Sequence, residues 1–125
     1  MYSPIIHAEV FNIKYECQEY WESLIRMSLS RFFILQVLHR QPLHGYEITK
    51  QVSCLTDGCC APTEGSLYPV LREFTDNGLV ELTTQVVSGR ERKIYTLTPK
   101  GENAYQVAAQ AWGVTAKYIL EAIKQ

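Results

Sequence analysis

The stretch from Leu43 to Asn77 constrains this chain most. It reads as a short helix, a turn carrying three cysteines, and a second helix that starts at a polar cap. Gly45 serves as a permissive cap for a helix from Tyr46 to about Cys54, with Tyr46, Ile48 and Val52 facing inward. Asp57-Gly58 signals the turn. Thr63 is a good N-cap, and Ser66 adds a polar contact three residues on. Leu67, Val70, Leu71 and Phe74 then share one helical face, and Gly78 stops the helix. Pro69 lies inside it and should kink or loosen its first turns. Two helices joined this way form a helix-turn-helix, whose second helix can enter a major groove.

The flanking segments extend this unit. Before it, apolar residues between Asn12 and Arg40 recur at helical spacing. Ser28 and Ser30 suggest a break, with Ser30 as an N-cap, so two helices are expected at about 12–27 and 30–39. Pro42 ends the second. Residues 1–10 read as a tether. After the unit, Leu79–Val87 reads as a strand, Ser88-Gly89 opens a turn and Lys93–Leu97 returns. Thr98-Pro99 is an N-cap followed by proline at the first helical position. The last helix runs to about Lys124. Its stripe of Tyr105, Ala108, Ala109, Trp112, Thr115, Ile119, Ala122 and Ile123 is heptad-like. A chain of 125 residues has little to cover such a stripe, so a second copy is the natural occupant. The fold class expected is mainly α with a small β-hairpin wing: a winged helix-turn-helix with dimerisation helices at both ends.

Charge and composition narrow the function. Hydrophobic residues make up 46% and charged residues 20%, a globular balance. The net charge of −1 excludes a basic coat protein, but residues 90–93 concentrate Arg90, Arg92 and Lys93 against Glu91. A few cations on one face suffice for phosphate contacts. No apolar run approaches a membrane span, and the N-terminus lacks the parts of a secretion signal. A cytoplasmic protein without a membrane partner is expected, and its four cysteines should be reduced thiols.

Four motifs then fall in order: Pro42-Leu43-His44-Gly45-Tyr46-Glu47-Ile48, Gly65-Ser66-Leu67-Tyr68-Pro69-Val70-Leu71, Asn77-Gly78-Leu79-Val80, and Arg92 through Gly101. In this order and spacing the chain resembles the PadR family of transcriptional regulators. The resemblance spans about residues 30–101. It implies a winged helix-turn-helix, a homodimer through the C-terminal helix and an N-terminal helix, and repression relieved by an effector. The single C-terminal helix resembles the smaller branch of that family. The first 27 residues and Cys54, Cys59 and Cys60 lie outside the common pattern.

The residues expected to carry chemistry follow. Thr63, Glu64, Gly65, Ser66 and Tyr68 form the turn that would face the major groove of double-stranded DNA. A helix N-terminus also favours phosphate, since its N–H groups point outward. For Ser66 and Tyr68 the plain alternative is capping and packing. Arg90, Arg92 and Lys93 form the wing, where each neutralised phosphate releases counterions. Arg72 and His44 could reach phosphates, although Arg72 could equally pair with Glu73 or Asp76; Tyr46 could do so too, or be core. Tyr20 and Trp21 join Tyr105, Ala108, Trp112, Thr115 and Ile119 as expected dimer contacts.

Cys54, Cys59 and Cys60 place three thiols within seven residues, between the two helices. Thiolates suit a soft metal ion or trivalent arsenic or antimony, and a thiol can also oxidise. Such a turn could be a metalloid or redox sensor; the plain alternative is that cysteines are small buried hydrophobes. A structural zinc site lacks a histidine at tetrahedral spacing. No catalytic constellation is visible, so an enzyme is not expected.

The parts expected are an N-terminal arm and helix (1–27), a DNA-binding domain (28–98) and a dimerisation helix (99–125). The function expected is a dimeric repressor on a pseudo-palindromic operator, released by an effector. The alternative is a winged-helix module that binds another protein.

Overall fold

The computed structural model describes residues 14–125. The tether expected at 1–10 and a helix start near Asn12 lie outside these residues. Element order is α1 (Gln18–Arg40), β1 (Leu43–His44), α2 (Gly45–Thr56), α3 (Glu64–Asp76), β2 (Val80–Val87), β3 (Arg90–Leu97) and α4 (Pro99–Ile123).

The first correction concerns α1, one uninterrupted helix of 23 residues where two helices were expected. Ser30 is not a cap; it lies buried in mid-helix. A serine costs a helix only a few tenths of a kcal/mol, about 0.5 against alanine. Ile34, Leu35, Val37 and Leu38, all buried on the same helix, outweigh that cost.

The core gathers these side chains with Ile48 and Val52 of α2 and Leu67, Val70, Leu71 and Phe74 of α3. Leu43, Val80 and Tyr95 close it from the sheet, and Cys60 from the turn. The sheet is antiparallel in the order β1-β3-β2. Leu43 stands opposite Tyr95 and His44 opposite Ile94, while Val80–Val87 pairs with Leu97–Arg90. Ser88 (φ 52°) and Gly89 (φ 77°) form the two-residue turn between β2 and β3. Two successive positive φ angles match the right-handed twist of the strands they join. Only Val80 of β2 is buried, so the hairpin projects from the body.

The helix ends follow the capping rules. Thr63 accepts the Ser66 N–H at 3.3 Å at the start of α3. At its end the Gly78 N–H donates to the Thr75 carbonyl and the Leu79 N–H to that of Phe74. That paired closure needs the left-handed φ of Gly78, +75°. Thr98 caps α4 by accepting the Gly101 N–H at 3.0 Å, with Pro99 at the first helical position. Pro69 leaves α3 continuous, although it has no N–H to donate to the Gly65 carbonyl four residues before it.

Candidate functional site

The site is built where α2, α3 and the β3 strand converge. A cleft of about 350 Å³ is lined by His44, Gly45 and Tyr46 at the start of α2, Tyr68 of α3, and Glu91, Arg92, Lys93 and Tyr95 of β3. A second cleft shares His44, Tyr46 and Arg92 and extends along Glu47, Lys50, Gln51 and Cys54. One surface therefore joins the start of α2, the first turns of α3 and the wing.

Gly45 explains how α2 and α3 approach. A Cβ there would lie 2.7 Å from the Tyr68 hydroxyl oxygen. The glycine permits the close approach of Tyr68, and it is not the conformational cap expected from sequence. The helix cap is His44, whose backbone N–H donates to Glu47 Oε1 at 3.5 Å. His44 Nε2 lies 2.9 Å from Glu47 Oε1 and 3.4 Å from a terminal nitrogen of Arg92. A neutral ring nitrogen can donate to the carboxylate or accept from the guanidinium, not both, and the shorter distance favours the carboxylate. Tyr95 is buried under the cleft, and its hydroxyl is held above the usual tyrosine range by burial and then by Tyr68.

Thr63, Glu64, Gly65 and Ser66 are all exposed at the start of α3. The Ser66 hydroxyl is engaged in the cap, donating to the Thr63 carbonyl at 3.1 Å. Among the described residues a Cβ at Gly65 would meet only Thr63 Oγ1, at 3.9 Å, so none of them demands glycine there. Glu64 places a carboxylate in the first turn, where the helix dipole favours it. Arg72 lines a groove with Tyr68, Pro69, Asp76 and Asn77. Glu73 pairs not with Arg72 but with Arg31 of α1, at 2.9 Å. Arg90, Arg92 and Lys93 are exposed along the wing.

Tyr46 is the second correction. Expected inward, it is 74% exposed and lines both clefts. Residues two positions apart in a helix are separated by about 200° at 3.6 residues per turn. Once Ile48 and Val52 define the inner face, Tyr46 and Lys50 must lie on the outer one. That phase was available in the sequence, and it also brings in Lys50, which the sequence reading missed.

The third correction concerns the cysteines. Among the described residues no three His, Cys, Asp or Glu side chains group so that they could hold a metal ion. Cys54 is exposed at the end of α2 and lines the second cleft, while Cys60 belongs to the core. A three-sulfur site from Cys54, Cys59 and Cys60 is therefore not formed. Helix α2 runs through Cys54 to Thr56, so Cys54 is fixed on a helical face while the other two sit in the turn beyond it. Cys59 and Cys60 do meet, sulfur to sulfur, at 3.4 Å. Burial and the contact with Cys59 push the Cys60 thiol up to about 11. The Cys59 carbonyl accepts Arg26 Nε–H at 3.0 Å, and the Cys60 N–H donates to Thr56 Oγ1 at 3.1 Å.

The expected dimer contacts divide. Tyr105 stacks on His39 (4.4 Å between ring centroids) and Phe32 (6.0 Å), so its ring is largely engaged within the chain. Tyr20 and Trp21 pack edge to face at 5.2 Å, with Trp21 49% exposed. Ala108 and Trp112 are half-buried, whereas Thr115 and Ile119 are exposed.

Residues 34–107 match the family described as the transcriptional regulator PadR-like family. The transcriptional regulator YqjI of Escherichia coli is 31% identical over 100 residues, covering 76% of this chain and 47% of that protein. The chain thus spans about half the length of that relative. A PadR-like transcriptional regulator from Bacillus cereus superposes with a TM-score of 0.71 at 26% identity, covering 79% of this chain and 95% of the other. The structure of Bacillus subtilis PadR in complex with operator DNA gives a TM-score of 0.56 at 28% identity, covering 61% and 44%.

Proposed function

Because the chain belongs to the PadR-like family of transcriptional regulators, we propose that it is a homodimeric repressor of the cytoplasm that binds a pseudo-palindromic DNA operator and is released by an effector. The observation that carries this reading is the single surface shared by Tyr68, His44, Arg92 and Lys93 beside the exposed start of α3. The likeness to Bacillus subtilis PadR, solved with operator DNA, supports it.

In this reading Thr63, Glu64, Gly65, Ser66 and Tyr68 meet the major groove, and Arg90, Arg92 and Lys93 grip the flanking backbone. Arg72, His44, Tyr46 and Lys50 add phosphate contacts. The division of labour is an arm and helix at 1–27, the DNA-binding part at 28–98 and a dimerisation helix at 99–125. Two-fold symmetry then sets half-sites about one helical turn apart. The effector is received at the cysteine turn, which lies between Arg26 of α1 and the Thr63 cap of α3. It acts only through a difference in affinity between the DNA-bound and released forms.

The test is titration of duplex DNA from the chain's own promoter, followed by fluorescence anisotropy at several salt concentrations. The pair Arg90→Ala and Arg92→Ala should weaken binding at least about tenfold and lower the salt slope by about two. Unchanged affinity in that pair would remove the wing from the interface. Failure of the unmodified protein to bind DNA in a salt-dependent way would favour a module that binds another protein.

A further inference from the structure

Adjacent residues rarely point their side chains at each other. In a strand they face opposite sides, and in a helix they diverge by about 100°. The turn after α2 breaks both rules. Asp57 (φ 51°) and Gly58 (φ 80°) take left-handed backbone in succession, and the Cys59 and Cys60 sulfurs then face each other at 3.4 Å. The arrangement is held from three sides. Arg26 fixes the Cys59 carbonyl, Thr56 Oγ1 accepts the Cys60 N–H while donating to the Val52 carbonyl, and the Cys60 side chain is seated in the core.

We propose that Cys59 and Cys60 form a two-sulfur chelate for a trivalent arsenical that carries one organic group. This rests on the reading above that the cysteine turn receives the effector, and it replaces three thiols by two. Thiolate–metal bonds are about 2.3 Å long; two bonds of that length, meeting at the near-right angle of a pyramidal trivalent centre, span roughly 3.3–3.5 Å. The sulfurs already stand at that separation. A pyramidal centre needs three substituents, and an organoarsenical arrives with the third in place. Cys54, set apart on α2, is not required.

The chemistry favours chelation over the other fates of a thiol pair. A disulfide needs sulfurs about 2.05 Å apart and Cα atoms usually 4.4–6.8 Å apart. Neighbouring residues joined by a trans peptide hold their Cα atoms about 3.8 Å apart. In chelation, two As–O bonds of the hydrated arsenical, R–As(OH)2, break and two As–S bonds form. Each thiol proton leaves with a hydroxide as water, so two waters are released. Nothing is oxidised or reduced, and no charge is left on the buried sulfur. A divalent ion would instead have to expel both thiol protons into solvent.

The probe is phenylarsine oxide, added to the full-length protein without DNA and followed by intact mass spectrometry and thiol counting. The expected result is one phenylarsenic group per chain, with two of the four thiols protected and mapped to Cys59 and Cys60. Cys59→Ser should lose this binding, while Cys54→Ser keeps it. Cys59 is only half-buried, so its serine variant should stay folded, which circular dichroism checks. Cys60→Ser serves as a second variant. Binding that survives Cys59→Ser, or protection that maps to Cys54 or Cys17, would overturn the chelate. Because the measurement uses no DNA, its failure is separate from failure of the repressor reading.

Discussion

At the scale of single residues, two glycines are fixed by close approach, and each has a different tolerance. At Gly45 the neighbour is the end of the half-exposed Tyr68 side chain, which can swing away. At Gly101 the neighbour is backbone. A Cβ there would overlap the Leu79 carbonyl oxygen, and Leu97 Cγ would lie 2.8 Å away. This contact seats α4 against the junction of α3 and the hairpin. Gly101→Ala should therefore destabilise the fold by about 1–3 kcal/mol, the usual range for overpacking. Urea unfolding should show a lower midpoint with an unchanged slope. A midpoint equal to that of the unmodified protein would mean that α4 is seated differently.

Between elements, the orientation of α3 is set by more than its apolar face. Arg31 of α1 grips Glu73 through two nitrogens, at 2.9 and 3.2 Å. The hydrogen bond from Arg31 holds the Glu73 carboxyl below the usual glutamate range. A depressed carboxyl pKa gives stability that is present above the ordinary glutamate value and lost as pH falls through the folded one. Both side chains are about half exposed, so solvent screens the pair and the contribution is small. Glu73→Gln should thus lower the thermal midpoint slightly at pH 7, and the difference should vanish below the carboxyl's titration. A difference that persists in acid would point to packing of the Glu73 side chain as the cause.

For the whole molecule, the uncovered surface of α4 is the dominant feature. Tyr118, Ile119, Leu120 and Ile123 are 54–75% exposed, and residues 113–125 are all exposed. Trp21, Leu24, Ile25 and Met27 leave a second apolar surface on α1. Contiguous apolar surface of this kind marks an interaction site, and the proposed occupant is a second copy of the chain. Ile119→Glu with Ile123→Glu should leave the monomer's stability unchanged, since both side chains are more than half exposed. Burial of two isoleucines contributes about 3 kcal/mol at least, or roughly a hundredfold in dimer affinity. Sedimentation at micromolar concentration would read the shift to monomer. An unaltered dimer would place the subunit contact elsewhere.

Local signals carried much of this fold. The Thr63 and Thr98 caps, the Gly78 stop, the Ser88-Gly89 turn and the inner faces of α2 and α3 depend on residues a few positions apart, and the sequence alone determines them. So does the motif order by which the family was legible. Three features depended on contacts across the chain. The continuity of α1 came from core burial that overrides a weak serine signal. The close approach at Gly45 came from Tyr68, which is 23 residues away. The cysteine turn was visible as three thiols, but spacing alone could not say which sulfurs meet. Helix α2 continues past Cys54 and the left-handed pair at Asp57-Gly58 then reverses the chain, so two sulfurs face each other and the third stands apart. Capping and periodicity are local energies and can be read along a chain, whereas the meeting of side chains is decided only when the core is packed.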